Sequence, residues 1–154
     1  RRNMKKEDHG LILIRHGEAE HMVGEEALTG GWSDTALTPL GREQARLTGL
    51  ALAAQAWPET VGFWTSDLLR ARQTADLIGQ ALGRKAIPVH ALREFNNGVA
   101  AGMNRKMAKT LQAPLEGPVG DWRPYEGGEN WNEFMQRVNA FHDEALGTGA
   151  HIVV

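Results

Sequence analysis

At 154 residues, with 42% hydrophobic and 23% charged residues, the chain has room for one domain with its own core and for little else. Seventeen basic against nineteen acidic residues give a net charge of -2, which argues against holding nucleic acid or anionic lipid by bulk charge. Cysteine is absent, so disulfides, thiolate catalysis and cysteine-bound zinc are excluded.

The amino terminus, RRNMKKEDHG, is basic and polar, and Met4 within it is a candidate native start. The apolar run that follows, LILI, has neither the length of a secretory h-region nor the roughly 20 residues of a membrane span. The expected setting is therefore the cytoplasm. LILI itself, 11–14, reads as a strand buried on both faces.

Thr38-Pro39 then opens a helix in the expected order, a capping hydroxyl followed by proline at the first helical position. Leu40, Leu47, Leu50, Ala51 and Ala54 give it an apolar stripe, and Pro58 closes the segment. Residues 60–65 (TVGFWT) read as a second strand. Ser66 or Asp67 is placed to cap the next helix, whose apolar face is Leu68, Leu69, Ala75, Ile78 and Leu82 and whose stop is Gly83. Residues 86–89 form a short strand that Pro88 consigns to the periphery. A weaker helix is expected over 103–112 and an irregular Pro/Gly-rich loop over 113–128. The span 129–146 is a helix with Trp131, Phe134, Met135, Val138 and Phe141 on one face, and 151–154 starts a further strand.

Strands alternating with helices predict an α/β fold in one domain over 1–154: three layers, a mostly parallel sheet covered by helices on both faces. In such sheets function gathers at the carboxyl ends of the strands. Arg15-His16-Gly17-Glu18 follows the first strand. A histidine held there can act as base, metal ligand or nucleophile, and Arg15 offers a planar fork for phosphate or carboxylate. Gly17 removes a Cβ where a ligand or a second backbone approaches. Equally, Arg15 could cap a turn and His16 be a buried, hydrogen-bonded histidine. Arg70 falls near the first turn of the second helix, where it disfavours the dipole unless an anion is bound; the plain alternative is an ion pair with Asp67. Glu94 is one acid among nineteen, and composition alone does not mark it. The six histidines show no metal-binding spacing, and no G-x-S-x-G is present.

Five blocks in order, LILIRHGE, GWSDTALTPLGREQA, TSDLLRARQTA, LREFNNGVAAG and GGENWNEFMQRV, resemble the histidine phosphatase superfamily, the phosphoglycerate-mutase-like fold. The resemblance implies that His16 takes the phosphoryl group, that Arg15 and Arg70 hold its oxygens, and that Glu94 protonates the leaving oxygen. It implies no metal or other cofactor, and a small-molecule phosphate ester as partner, with no role for nucleic acid or membrane. Gly17, Glu18 and His21 are further candidates for the substrate pocket. Nothing in the pattern specifies an oligomeric state.

Two departures shape the functional expectation. Members of the family carry a second catalytic histidine in a Ser-His-Gly or Thr-His-Gly turn after a late strand, whereas this sequence reads HIVV and stops, as if it lacked its C-terminal segment. His151 sits at the wrong end of that strand for the role. In EHMVGEEALTGGW, Met22 stands where many members have asparagine, and Glu25 and Glu26 stand where mutases carry basic residues for a substrate carboxylate. The span between Gly102 and Gly127 is also short beside the mutases' insertion. The expected activity is accordingly hydrolysis of a phosphomonoester through a phosphohistidine. The alternatives are a phosphoglycerate-mutase-type phosphotransferase and a non-catalytic phosphate-binding relic. Trp122, Arg123 and Tyr125 belong to the variable loop, as substrate contacts or as packing.

Overall fold

Four short parallel strands carry the fold, and the last of them in sequence lies inside the sheet rather than at its edge. The computed structural model describes residues 10–24, 28–146 and 149–154; Met4, Glu25 and Glu26 lie outside them. The elements are β1 (Gly10–Leu13), α1 (Pro39–Ala53), β2 (Gly62–Ser66), α2 (Leu69–Leu82), β3 (Ile87–Val89), α3 (Arg105–Thr110), α4 (Trp131–Ala145) and β4 (Ala150–Val153). The strand order is β1-β4-β2-β3, and every pair is parallel.

On one face Ile12, Ile152 and Phe63 lie in register across β1, β4 and β2. They meet Leu52 of α1 and Ala75 and Ile78 of α2 in the core. On the other face Trp64 packs edge-on against Phe141 of α4, ring centroids 5.6 Å apart. The expected α/β architecture, a parallel sheet with helices on both faces, is what forms. Pro88 sits in the edge strand β3, where a missing N–H costs no ladder bond.

Burial corrects two expectations. β1 is an edge strand: β4 is its one neighbour among the described residues, and Leu13 is 72% exposed while Ile12 and Ile14 pack inward. The strand buried on both faces is β4, between β1 and β2. Leu11 and Leu13 point to one face of the sheet and are exposed, while Ile12 and Ile14 point to the other and pack against the core. A run of apolar residues does not say which faces of a strand other elements cover.

The second correction concerns α1. Leu40, Leu47, Leu50, Ala51 and Ala54 are exposed, and the helix buries Gly41, Ala45, Gly49 and Leu52 instead. Backbone proximity decided the face. A Cβ on Gly49 would sit 3.0 Å from the Ile78 Cα, and one on Gly41 would sit 2.0 Å from the Glu18 carbonyl oxygen. Small residues let the helix approach its neighbours closely, and dense packing there outweighs the larger leucines.

The helix ends are partly as expected. Thr38 Oγ1 accepts from Gly41 N at 3.0 Å with Pro39 first in α1, and Gly83 ends α2 at φ 64°. Neither Ser66 nor Asp67 caps α2 as foreseen. Leu69 N donates to Asp34 Oδ1 at 2.6 Å, while Asp67 turns to a two-pronged pair with Arg93 at 2.6 and 2.9 Å. Trp122 and Arg123 staple the 113–128 loop, donating to Ala113 O and to Glu133, so they pack rather than face the cavity described next. Among the described residues no helix is long and apolar enough to cross a membrane.

Candidate active site

A cavity of about 550 Å³ opens at the carboxyl ends of β1, β2 and β4, where Ile14, Ser66 and Val154 form its floor. Arg15, His16, His21, Arg70, Glu94 and Arg105 contribute its polar wall. Five segments distant in sequence therefore converge on the place where the sheet delivers its strand ends.

His16 is half-buried, and its two ring nitrogens are assigned by their partners. Nδ1 lies 2.7 Å from the Gly17 carbonyl oxygen, which can only accept, so Nδ1 carries the proton. Arg70 Nε donates to Nε2 at 3.2 Å, so Nε2 presents its lone pair. Burial holds the His16 pKa below its ordinary value of 6.5, helped by the charges of Arg70 and Arg15 and opposed by the Gly17 carbonyl and Glu94. The imidazole is thus kept in the form that can attack.

Arg70 is 1% exposed. Besides His16 it donates to Ser33 O at 2.7 Å, Gly31 O at 2.8 Å and Glu94 Oε2 at 2.9 Å. The expected alternative, a solvated pair with Asp67, does not form. A buried guanidinium satisfied by fixed carbonyls is a preorganised positive group, which costs no reorganisation when an anion arrives. Arg15 is exposed at the cavity mouth.

Glu94 is brought to the cavity, where its side chain is 56% exposed. It lies after β3 in irregular backbone, and its carboxylate reaches across to Arg70.

His21 is buried in the cavity wall, with Nδ1 2.8 Å from Thr35 Oγ1 and its ring centroid 6.2 Å from that of His16. A Cβ on Gly30 would sit 3.0 Å from His21 Nε2 and 3.4 Å from Glu94 Oε2, so the missing side chain there lets both groups face the same space. Burial and the Arg70 charge lower the His21 pKa as well.

Gly17 and Glu18 do not line the cavity, which corrects their placement in the substrate pocket. A Cβ on Gly17 would sit 2.3 Å from Gly41 O, so the clearance serves α1, not a ligand. Glu18 Oε1 accepts from Thr38 Oγ1 at 2.7 Å, near the start of α1 where the helix dipole favours a carboxylate. His151 is buried in β4 beside Trp64 Nε1, away from the cavity.

Arg105 escaped sequence reading. It begins α3, its Nε donates to Leu28 O at 3.3 Å, and it adds a third guanidinium to the cavity. Only its closeness to the LREFNNGVAAG block pointed to it, because basic residues for a carboxylate were sought in the loop of Glu25 and Glu26.

The sequence model of the histidine phosphatase superfamily (branch 1) matches residues 11–154. A 2,3-bisphosphoglycerate-dependent phosphoglycerate mutase of Nitrobacter hamburgensis is 36% identical over 83% of this chain and 63% of its own length. The enzyme of the same name from Methylocella silvestris is 34% identical over 90% of this chain and 69% of its own. The crystal structure of phosphoglycerate mutase from Thermus thermophilus superposes with a TM-score of 0.62 at 32% identity, covering 93% of this chain and 74% of that one. A structure titled "Mycobacterial hydrolase 2" shares the fold, with a TM-score of 0.73 at 24% identity over 94% of this chain and 65% of that one. The chain thus spans about 63% of the length of the first of these curated relatives. The curated relatives are named as mutases, which overturns the expectation of a phosphomonoester hydrolase and favours the phosphotransferase alternative. Arg105 removes one ground for the hydrolase, since the cavity does hold a third cation.

Proposed function

Because this chain belongs to the histidine phosphatase superfamily (branch 1), we propose that it performs phosphoryl transfer of the phosphoglycerate-mutase type through His16. The observation that carries the reading is the Nε2 lone pair of His16, held beside the buried Arg70 guanidinium in a cavity with further arginines at its mouth.

In the proposed step, His16 Nε2 attacks one phosphorus of a bisphosphoglycerate. An N–P bond forms as the bond from phosphorus to the leaving oxygen breaks, and Glu94 gives that oxygen its proton. In the return step the free hydroxyl of a monophosphoglycerate attacks the phosphohistidine, gives its proton to Glu94 and frees Nε2. Arg70 and Arg15 neutralise the phosphoryl oxygens throughout, lowering the barrier by preorganised charge and positioning. Arg105 takes the substrate carboxylate, and His21 Nε2 bonds the substrate between Gly30 and Glu94. A bisphosphoglycerate supplies the phosphoryl group that primes His16, and a three-arginine cavity suits so anionic a molecule.

The test uses the full-length protein with 3-phosphoglycerate and a catalytic amount of 2,3-bisphosphoglycerate. Interconversion of the 3- and 2-phosphate esters that outruns release of inorganic phosphate is expected. Release of inorganic phosphate alone would sink the proposal.

A further inference from the structure

Glu94 protrudes into the cavity from irregular backbone, and its one side-chain tie among the described residues is to Arg70. A phosphoryl group bound at Arg70 competes for that same guanidinium. With substrate in place, the position of the carboxyl therefore depends on what fixes the backbone of residues 91–96.

That backbone is gripped from α4. Arg137 Nη1 donates to Ala91 O at 2.7 Å and to Arg93 O at 2.9 Å, and Nη2 donates to Glu94 O at 3.3 Å. Glu129 aims the guanidinium, accepting from Arg137 Nη2 at 2.6 Å and from Nε at 3.3 Å. The same carboxylate accepts from Asn96 N at 2.7 Å, so the pair holds the chain on both sides of Glu94. Trp32 Nε1 adds a bond to Glu94 O at 2.8 Å. The pair is largely buried, with side-chain exposures of 16% for Arg137 and 12% for Glu129, and neither residue lines the cavity. Its base is firm, because Asn130 and Glu133 close a capping box immediately after Glu129. Reaching several carbonyls and a carboxylate at once requires a planar fork, which lysine does not have.

We propose that Arg137 and Glu129 are positioning residues for Glu94: they set the approach of its carboxyl to the leaving oxygen and leave phosphate binding to Arg70 and Arg15. The inference rests on the reading of Glu94 as the proton donor. Proton transfer needs a heavy-atom approach of about 2.6–3.2 Å, so a small backbone shift at residue 94 penalises this step first.

Leaving-group chemistry separates positioning from general stability. 2,3-Bisphosphoglycerate expels an alkoxide that needs the proton, whereas 4-nitrophenyl phosphate expels a stable phenolate that does not. Phosphorylation of His16 by each donor is measured in single turnovers of the full-length protein, for wild type, Glu94→Gln, Arg137→Lys and Glu129→Gln. Arg137→Lys and Glu129→Gln are expected to slow the alkyl donor roughly 10- to 100-fold more than the aryl donor, as Glu94→Gln does. Equal losses on both donors would mark the pair as a structural staple and overturn the proposal. If Glu94→Gln shows no bias, the reading of Glu94 falls and this inference with it. If Glu94→Gln shows the bias and the pair variants do not, this inference falls alone. Glu129→Gln decides the matter should Arg137→Lys fail to fold.

Discussion

Arg70 Nε donates to His16 Nε2 across 3.2 Å, and this contact ties the buried cation of α2 to the unprotonated nitrogen of the imidazole. The Gly17 carbonyl fixes the proton on the opposite nitrogen. Replacing His16 by asparagine should therefore abolish the acid-labile phosphoenzyme while leaving the thermal midpoint nearly unchanged. Mass spectrometry of the protein after mixing with donor, beside a melting curve, checks both; a phosphorylated H16N protein would contradict the assignment.

Arg70 serves structure as well as charge. Arg70→Met strips the Ser33 and Gly31 carbonyls of their buried donor, at about 2–6 kcal/mol in total for two such groups. Urea unfolding should show that loss, and kcat/KM should fall by on the order of 10³, the upper range for removing one preorganised donor.

The two cavity histidines should make stability depend on pH. Burial lowers both folded pKa values below 6.5, so the unfolded chain binds more protons as pH drops through that value. Their contribution is fully present above pH 6.5 and is lost as pH falls through the lower folded values. Unfolding free energies measured from about pH 8 down to about pH 5, the range that brackets histidine titration, should decline for wild type. His21→Gln should flatten part of that decline; an unchanged slope would show that His21 does not titrate in this way.

Gly17 and Gly41 form a backbone-to-backbone contact that no side chain fits. Gly17→Ala puts a methyl 2.3 Å from Gly41 O, where only backbone could yield. Destabilisation of about 1–3 kcal/mol, or more, is expected by chemical denaturation, together with slower phosphorylation of the adjoining His16.

Arg105 provides a test of substrate class. Arg105→Ala should raise KM for 3-phosphoglycerate by roughly tenfold, the worth of one charge-assisted hydrogen bond, while KM for 4-nitrophenyl phosphate stays near wild type. Equal effects on both substrates would remove Arg105 from carboxylate recognition.

How much of this was legible beforehand follows from how local each feature is. Thr38-Pro39 and Gly83 are local signals, because a capping hydroxyl, a fixed proline φ and an αL glycine act on their own turn. Alternating strands and helices were enough for the parallel α/β class, and the RHG, LLRARQT and LREF blocks were enough to mark His16, Arg70 and Glu94. The cap of α2 was not legible, because its acceptor, Asp34, lies 35 residues away. The buried face of α1 was misread because leucines outrank glycines in any hydrophobic pattern, although glycines decide how near two backbones come.

The sequence by itself determined which elements form and their order, and it marked His16, Arg70 and Glu94 as candidates, since these signals depend on neighbours within a few residues. Tertiary structure alone decided that β4 lies between β1 and β2, that Gly17 and Glu18 serve α1 rather than a ligand, and that Arg105 joins the cavity while Arg137 and Glu129 grip Glu94 from behind. The physical reason is range. Hydrogen bonds and close packing between segments tens of residues apart are set by how the sheet brings them together, and no local pattern encodes that.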